Sequence, residues 1–257
     1  MQAASEWRTP YCRPVPDAEF ADPRLAAIYD EFDDDRSDLD AYVGLVDEHG
    51  ARSILDVGCG AGTLAVRLAG LGLRVTGIDP AEASLDIARR KPYAEGVRWI
   101  HGTTAHLPAL QVDMAVMTGN VAQVFLGDAE WIETLSRIRA TVVPGGLFVF
   151  ETRIPGRRAW EEWTPERTRR TVDIVGMGVV ERSVNVLDVS LPLVSFRWNY
   201  RFAADGLELT SDSTLRFREL DELHDSLGIA GFRTREVRDA PDRPGHEHVV
   251  VAEAGTG

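Results

Sequence analysis

Hydrophobic and polar positions change their period twice along this chain, and the two changes divide it. From Pro23 apolar residues recur as Leu25, Ile28 and Phe32, then as Leu39, Tyr42, Val43 and Val46 before Gly50. Spacings of three and four put each set on one face of a helix. Short apolar runs then alternate with helical stretches. Strands are predicted at 53–57 (SILDV), 74–79 (RVTGID), 97–101 (VRWIH), 112–118 (VDMAVMT) and 147–152 (LFVFET), with helices at 63–71, 82–91 and 128–142, the last ending at Pro144 to Gly146. Such runs, separated by helices, suit a parallel sheet covered on both faces.

After Arg153 the period becomes two. Val194, Phe196, Trp198, Tyr200 and Phe202 alternate with Ser195, Arg197, Asn199 and Arg201, the pattern of an antiparallel strand with one buried face. The turn at 204–206 (ADG) leads into a second alternating run, Leu207 to Phe217, and Val179 to Val189 offers a third strand. Helical spacing returns at Leu220, Leu223 and Leu227, followed by two closing strands, FRTREV and HVVVAEA. The division is then 1–50, an arm with lid helices; 51–153 with 218–257, an open α/β sheet; and 154–217, an inserted antiparallel unit over the substrate side.

Composition adjusts this picture modestly. At 257 residues and 44% hydrophobic content the chain can bury a real core without staples. Cys12 and Cys59 are too few for a disulfide framework, so both are expected to be free thiols in a reducing compartment. The N-terminus lacks the basic-then-apolar pattern of a signal peptide and no apolar run nears the roughly 20 residues of a membrane span. A soluble, cytoplasmic protein with no membrane partner is the expectation. The net charge of −13 weighs against nucleic acid, although Arg153, Arg157, Arg158, Arg167, Arg169 and Arg170 form a local basic cluster, diluted by Glu161, Glu162 and Glu166.

The chemistry gathers in ILDVGCGAGTLA, from Ile54 to Ala65. A glycine turn between a strand and a helix lets backbone approach a ligand and turns its amides toward it. The third glycine is Gly62, where a dinucleotide fingerprint would place a small residue at position 63, and no lysine follows as in a triphosphate loop. Asp56, two residues before Gly58, would repel a pyrophosphate but suits an amino-acid ammonium group. Asp79, 21 residues past Gly58 at the end of the next strand, can accept from both hydroxyls of a ribose.

With VTGIDPAEASLDIARR, VRWIHGTTAHLP and TVVPGGLFVFETR, this stretch resembles the class I S-adenosylmethionine-dependent methyltransferases over about residues 23–153, and FRELDELHDSLGIAGFRTREV is similar to that family's last helix and reversed strand pair. The resemblance implies a Rossmann-like α/β fold: a seven-stranded sheet in the order 3-2-1-4-5-7-6, strand 7 antiparallel, helices on both faces, and here a small antiparallel β insertion. It implies S-adenosylmethionine as cofactor and S-adenosylhomocysteine as product. By position, Asp56, Gly58, Cys59, Gly60 and Gly62 would line the methionine and ribose portion, Asp79 with Pro80 the ribose, and Thr103 and Thr104 the adenine, where the family usually carries an acid. Thr118, Asn120 and Gln123 would lie near the sulfonium and the acceptor.

For the acceptor side the candidates are Tyr29 and Arg36 from the N-terminal region and Arg153, Trp160, Trp163 and Trp198 toward the insertion; each tryptophan also has a packing role open to it. His101 and His106 flank the adenine-side loop and either could act as a base, so no single catalytic residue is identified. His246 and His248 share a strand face without a third ligand, and no metal is expected. No Asn-Pro-Pro-Tyr motif follows the fourth strand and no paired catalytic cysteines appear, which disfavours adenine-N6, glutamine and cytosine-C5 methylation. The insertion resembles the layout of small-molecule N- and O-methyltransferases, sugar amine N-methyltransferases among them. A small-molecule N or O acceptor is therefore the leading expectation. A tRNA or protein acceptor, and a non-catalytic binder that keeps the fold, stay open, as do monomer and homodimer.

Overall fold

The computed structural model describes residues 16–33 and 36–256; Cys12 lies outside them. Two sheets organise the chain. The first has seven strands: β1 (Ser53–Val57), β2 (Arg74–Asp79), β3 (Val97–His101), β4 (Val112–Met117), β5 (Val142–Arg153), β10 (Phe232–Asp239) and β11 (Glu247–Ala254). Their order is β10-β11-β5-β4-β1-β2-β3. Strands β1 to β5 run parallel, and β11 is antiparallel to both β5 and β10. The second sheet has four antiparallel strands in the order β6 (Arg170–Ile174), β7 (Gly178–Ser190), β8 (Leu193–Phe202) and β9 (Glu208–Arg216). The three strands expected there become four, because Arg170 to Ile174 turns back at Val175 and Gly176 to pair with the start of β7. Its edge position leaves Thr171 and Asp173 exposed, and so short and polar a strand gives little periodic signal.

Helices cover both faces of the large sheet. On one, α3 (Asp38–Glu48) and α4 (Thr63–Gly70) bury Leu39, Tyr42, Leu64 and Leu68 against Ile54, Val116 and Val149. On the other, α6 (Asp128–Thr141) and α8 (Leu220–Ile229) bury Trp131, Leu135, Ile138 and Leu227 against Leu55, Phe148 and Phe150. The Trp131 ring nitrogen donates to Ser226 Oγ at 2.9 Å, so the largest core side chain leaves no polar group unpaired.

The N-terminal region departs from the periodic reading. Instead of one helix from Pro23 to Phe32 there are two single turns, α1 (Ala18–Ala21) and α2 (Pro23–Ala26), and a 3-10 turn over Asp30–Phe32. Pro23 cannot continue a helix from α1, and Asp22 caps a fresh start by accepting from the Arg24 and Leu25 amides. Leu25, Ile28 and Phe32 are buried nonetheless, against Val180, Tyr200 and Phe202 of the small sheet. The spacing recorded burial, not continuity. This segment also touches the large sheet's layer, where Ser84 Oγ of α5 (Glu82–Ala88) donates to the Phe20 carbonyl at 3.0 Å. It is thereby wedged between the two sheets, beside the carboxyl ends of β1 and β2.

Candidate active site

The glycine turn follows β1 directly. Gly58, Gly60 and Gly62 have φ of +71°, +53° and +76°, a region other residues enter only at a cost. At Gly62 a Cβ would also lie 2.5 Å from the Trp99 ring and 2.7 Å from Ala88 Cβ, whereas at Gly60 it would meet nothing within 4 Å. One glycine is needed for packing and the other faces open space. The turn's amides are largely spent: those of Gly58 and Cys59 donate to the Ile78 carbonyl, that of Gly62 to the Cys59 carbonyl, and that of Gly60 to Asp79 Oδ2 at 2.8 Å. Those four amides are therefore not offered to a ligand. What the turn presents is acid.

Asp56 is 1% exposed and its Oδ1 has no hydrogen-bond partner. Burial, reinforced by the nearby Asp79 carboxylate and opposed by Arg36, pushes its carboxyl up to about 7. A buried acceptor without a donor is a costly arrangement. Asp79 takes the Gly60 and Ala81 amides on its two oxygens, at 2.8 and 2.7 Å, so it shapes the loop as well as facing it; burial raises its carboxyl too. Cys59 is a free thiol, pushed well above its ordinary range by burial and by both aspartates, and it packs beside Gly77 and Trp99. Neither its amide nor a thiolate is available there.

Along the β3 side, the Pro80 carbonyl and Glu82 hold the two ring nitrogens of His101, each at 3.0 Å. Thr103 begins a 3-10 turn in which its amide donates to His106 Nδ1 at 3.2 Å, and Thr104 is buried. Both histidines proposed as bases are therefore engaged locally.

Beyond β4, the segment Thr118 to Gln123 meets the end of β5. Asn120 is buried, in a left-handed conformation (φ +59°). Its amide donates to Glu151 Oε1 at 3.1 Å, and its Nδ2 lies 3.3 and 3.4 Å from the oxygens of Glu247. Gln123 spends both ends of its amide within the protein, accepting from Arg153 at 3.1 Å and donating to the Arg216 carbonyl at 3.4 Å. It ties β4 to β5 and β9. Neither residue caps the following turn with its side chain.

Glu151, Glu247, Tyr42 and Arg243 were not singled out from sequence. In the antiparallel register Glu247 stands opposite Arg153, with Glu151 two residues back on the same face. Glu247 takes Arg243 at 2.7 Å and Arg153 at 3.5 Å. Glu151 takes the Tyr42 hydroxyl and the amides of Gly119 and Asn120. Burial pushes its carboxyl up, and the Glu247 carboxylate adds to this. The signal that could have found it is position, since the acid ends a buried parallel strand at its carboxyl end, where open α/β sheets bind ligands.

The acceptor-side candidates separate. Arg153 joins this cluster and lies over the Trp163 ring, 5.5 Å from its centroid. Tyr29 packs at a tilt against Phe20, ring centroids 5.4 Å apart, its hydroxyl pushed up by burial and by Glu19, and Arg36 is held by Asp38 at 3.2 Å while its charge reaches Asp56. Trp160, only 6% exposed, packs edge-on against Phe217 at 4.7 Å, and Trp163 does the same against Phe196 at 4.8 Å. Trp160 is core, which removes it from the acceptor side. Trp198 bridges the two apolar clusters of the small sheet under the Arg182 guanidinium. Metal-ligand types converge once among the described residues, at Glu48, His49 and Glu236, where Arg238 holds both carboxylates.

Residues 54–146 match the family described as a methyltransferase domain. Over that stretch the chain is similar to methyltransferase domains, and solved methyltransferases with bound S-adenosylmethionine or S-adenosylhomocysteine share its fold. A protein of Geobacillus sp. (strain WCH70) named as a methyltransferase is 37% identical over 105 residues, 40% of this chain and 42% of that one. The chain spans about two fifths of the length of the curated relatives it first matches. Likeness in fold extends further. The CcbJ methyltransferase from Streptomyces caelestis superimposes with a TM-score of 0.71 at 24% identity, over 90% of this chain and 96% of that one. The sugar N-methyltransferase KedS8 from Streptoalloteichus sp. ATCC 53650 gives 0.72 at 17% identity, over 99% and 98%. A site for S-adenosylmethionine, tested against the residues present, fits: a glycine turn open at Gly60, a buried aspartate oxygen lacking a donor, and a second aspartate at the next strand end. No described helix is long and apolar enough to cross a membrane.

Proposed function

We propose that the protein transfers a methyl group from S-adenosylmethionine to a nitrogen or oxygen of a small molecule by in-line displacement. The observation that carries this is the donor-less Oδ1 of Asp56 beneath a glycine turn in which the Gly58, Cys59, Gly60 and Gly62 amides are already bonded and Gly60 faces open space. Such a turn favours a cationic amino-acid group over a phosphate. In this reading Asp56 pairs with the ammonium of the donor, Asp79 accepts from the ribose hydroxyls with its remaining lone pairs, Pro80 and the backbone of Gly58, Cys59, Gly60 and Gly62 line that wall, and Thr103 and Thr104 border the adenine. Thr118 and Asn120 lie toward the sulfonium, and Gln123 positions Arg153.

When bound, the donor supplies an activated methyl group, so the chain's task is orientation and exclusion of water. The wedge carrying Tyr29 and Arg36, the small sheet with Trp198, and Arg153 on Trp163 form the cover over the acceptor. A protein named as a sugar N-methyltransferase shares this whole arrangement of fold, which supports a small acceptor, as does the net charge of −13. The free Cys59 thiol suits the cytoplasm.

The test is release of S-adenosylhomocysteine from donor and protein with a panel of amines, phenols, carboxylates and sugars, beside bulk tRNA and cell protein as acceptors. Release with at least one small-molecule class, and none with tRNA or protein at low salt, is expected. Turnover confined to a macromolecule would overturn the small-acceptor reading, and no turnover with any pool would leave a binder.

A further inference from the structure

The cluster at the ends of β4, β5 and β11 contains two acids and unequal means of neutralising them. Glu247 has two arginines, Arg243 and Arg153. Glu151 has no cation within ion-pair distance among the described residues; its partners are a phenol and two amides. Asn120 adds a second gap, since its Oδ1 is buried and has no partner although the residue is only 4% exposed. Rotating the amide does not cure this. Glu247, ion-paired with two arginines, offers acceptor oxygens, so the nitrogen must stay toward it and the oxygen must stay free. A carboxylate without a cation and an amide oxygen without a donor, joined by the Asn120 backbone, lack the same thing: a positively charged group with several N–H bonds.

We infer that Glu151 and Asn120 receive the acceptor as an alkylammonium ion, Asn120 Oδ1 and Glu151 accepting its N–H bonds, and that Glu151 takes the proton that must leave before the nitrogen can attack. This rests on the methyltransferase reading and narrows its acceptor to an amine. One N–H proton passes from R–NH3+ to the Glu151 carboxylate, freeing the nitrogen lone pair. The nitrogen–carbon bond forms as the carbon–sulfur bond breaks, its electron pair going to sulfur as S-adenosylhomocysteine. The product leaves as R–NH2+–CH3, and Glu151 returns its proton to water, so one proton is released for each methyl transferred. A hydroxyl acceptor would instead have to become an anion beside Glu151 and Glu247, which like-charge repulsion opposes. The raised Glu151 carboxyl fits a group that must hold a proton transiently. The charged and titratable groups around it are Tyr42 from α3, Glu247 from β11, Arg153 from its own strand, and Asp242 and Arg243 from the β10–β11 connection.

The experiment compares primary alkylamines and amino sugars with matched alcohols and phenols as acceptors, alongside calorimetric donor binding. Amines should turn over, with one proton released per S-adenosylhomocysteine, and matched hydroxy compounds should not. Glu151→Gln should lower amine turnover at pH 7 by about 100-fold, within the range of a positioned base, with recovery as pH rises past the free ammonium pKa and with donor affinity unchanged. Asn120→Gly, which tolerates the left-handed backbone, should raise KM for the amine roughly fivefold, the loss of one hydrogen bond, with kcat at saturating amine and donor changed less than KM. Turnover of hydroxy compounds but not amines, or a Glu151→Gln loss that is equal at every pH, would overturn the inference while leaving methyl transfer standing. Failure of the wild-type protein to bind donor would instead remove the reading beneath it.

Discussion

Asp56 concentrates the energetics of the donor site in one side chain. Its carboxyl moves from an ordinary 3.8 to about 7 because burial and Asp79 disfavour the charge. Between those values the folded protein holds a proton that the unfolded chain has released, so this residue's contribution to stability falls as pH rises from about 4 to about 7. A donor whose ammonium pairs with Asp56 must expel that proton. Titration of the donor in buffers of different ionisation enthalpy should therefore show release of about half a proton at pH 7, more at pH 6 and none near pH 9. Binding without proton release at pH 6 would mean that Asp56 does not meet the ammonium. Asp56 was legible in sequence because it sits two residues from an unusual glycine spacing. Glu151 was not: nothing local marks LFVFETR, and its meaning comes from the Glu247–Arg153 register across strands far apart in the chain.

Elements explain which expectations held. Strands such as Ser53–Val57 and Val112–Met117 are short, largely apolar buried runs, so the parallel sheet could be read in advance, while its order, implied by the family resemblance alone, stands as implied. Polar edge strands and single turns follow no period, which is why β6, α1 and the end of α2 at Ala26 escaped. The wedge made by that broken segment is pinned beside the glycine turn. Lys91 reaches Asp30 at 2.5 Å and Thr63 Oγ1 at 2.8 Å, and Thr63 begins α4. A part-buried pair of this kind contributes about 0.2–1 kcal/mol. Lys91→Met should thus weaken donor binding about two- to fivefold while the thermal midpoint moves by only a few degrees. Unchanged donor affinity would show that the wedge does not act on the donor side.

At the scale of the molecule, Asp56 and Asp79 lie at the ends of β1 and β2 of the large sheet, Glu151 lies near the end of β5, and the N-terminal wedge is bonded to the small sheet. Ser211 and Ser213 of β9 receive the Glu19 amide and bond Asp17, at 2.8 and 2.5 Å, while Tyr200 donates to Glu19 at 2.5 Å, so hydrogen bonds tie the wedge to the small sheet. The account's central claim is that S-adenosylmethionine is held between Asp56 and Asp79. Calorimetric titration of S-adenosylhomocysteine into wild type and Asp79→Asn tests it most directly. The account predicts one site per chain, with roughly tenfold or greater weakening in the variant, the loss of hydrogen bonds to a charged group worth about 1.5–3 kcal/mol. A folded wild-type protein that gives no binding heat at millimolar ligand, or a variant that binds as tightly as wild type, would contradict it.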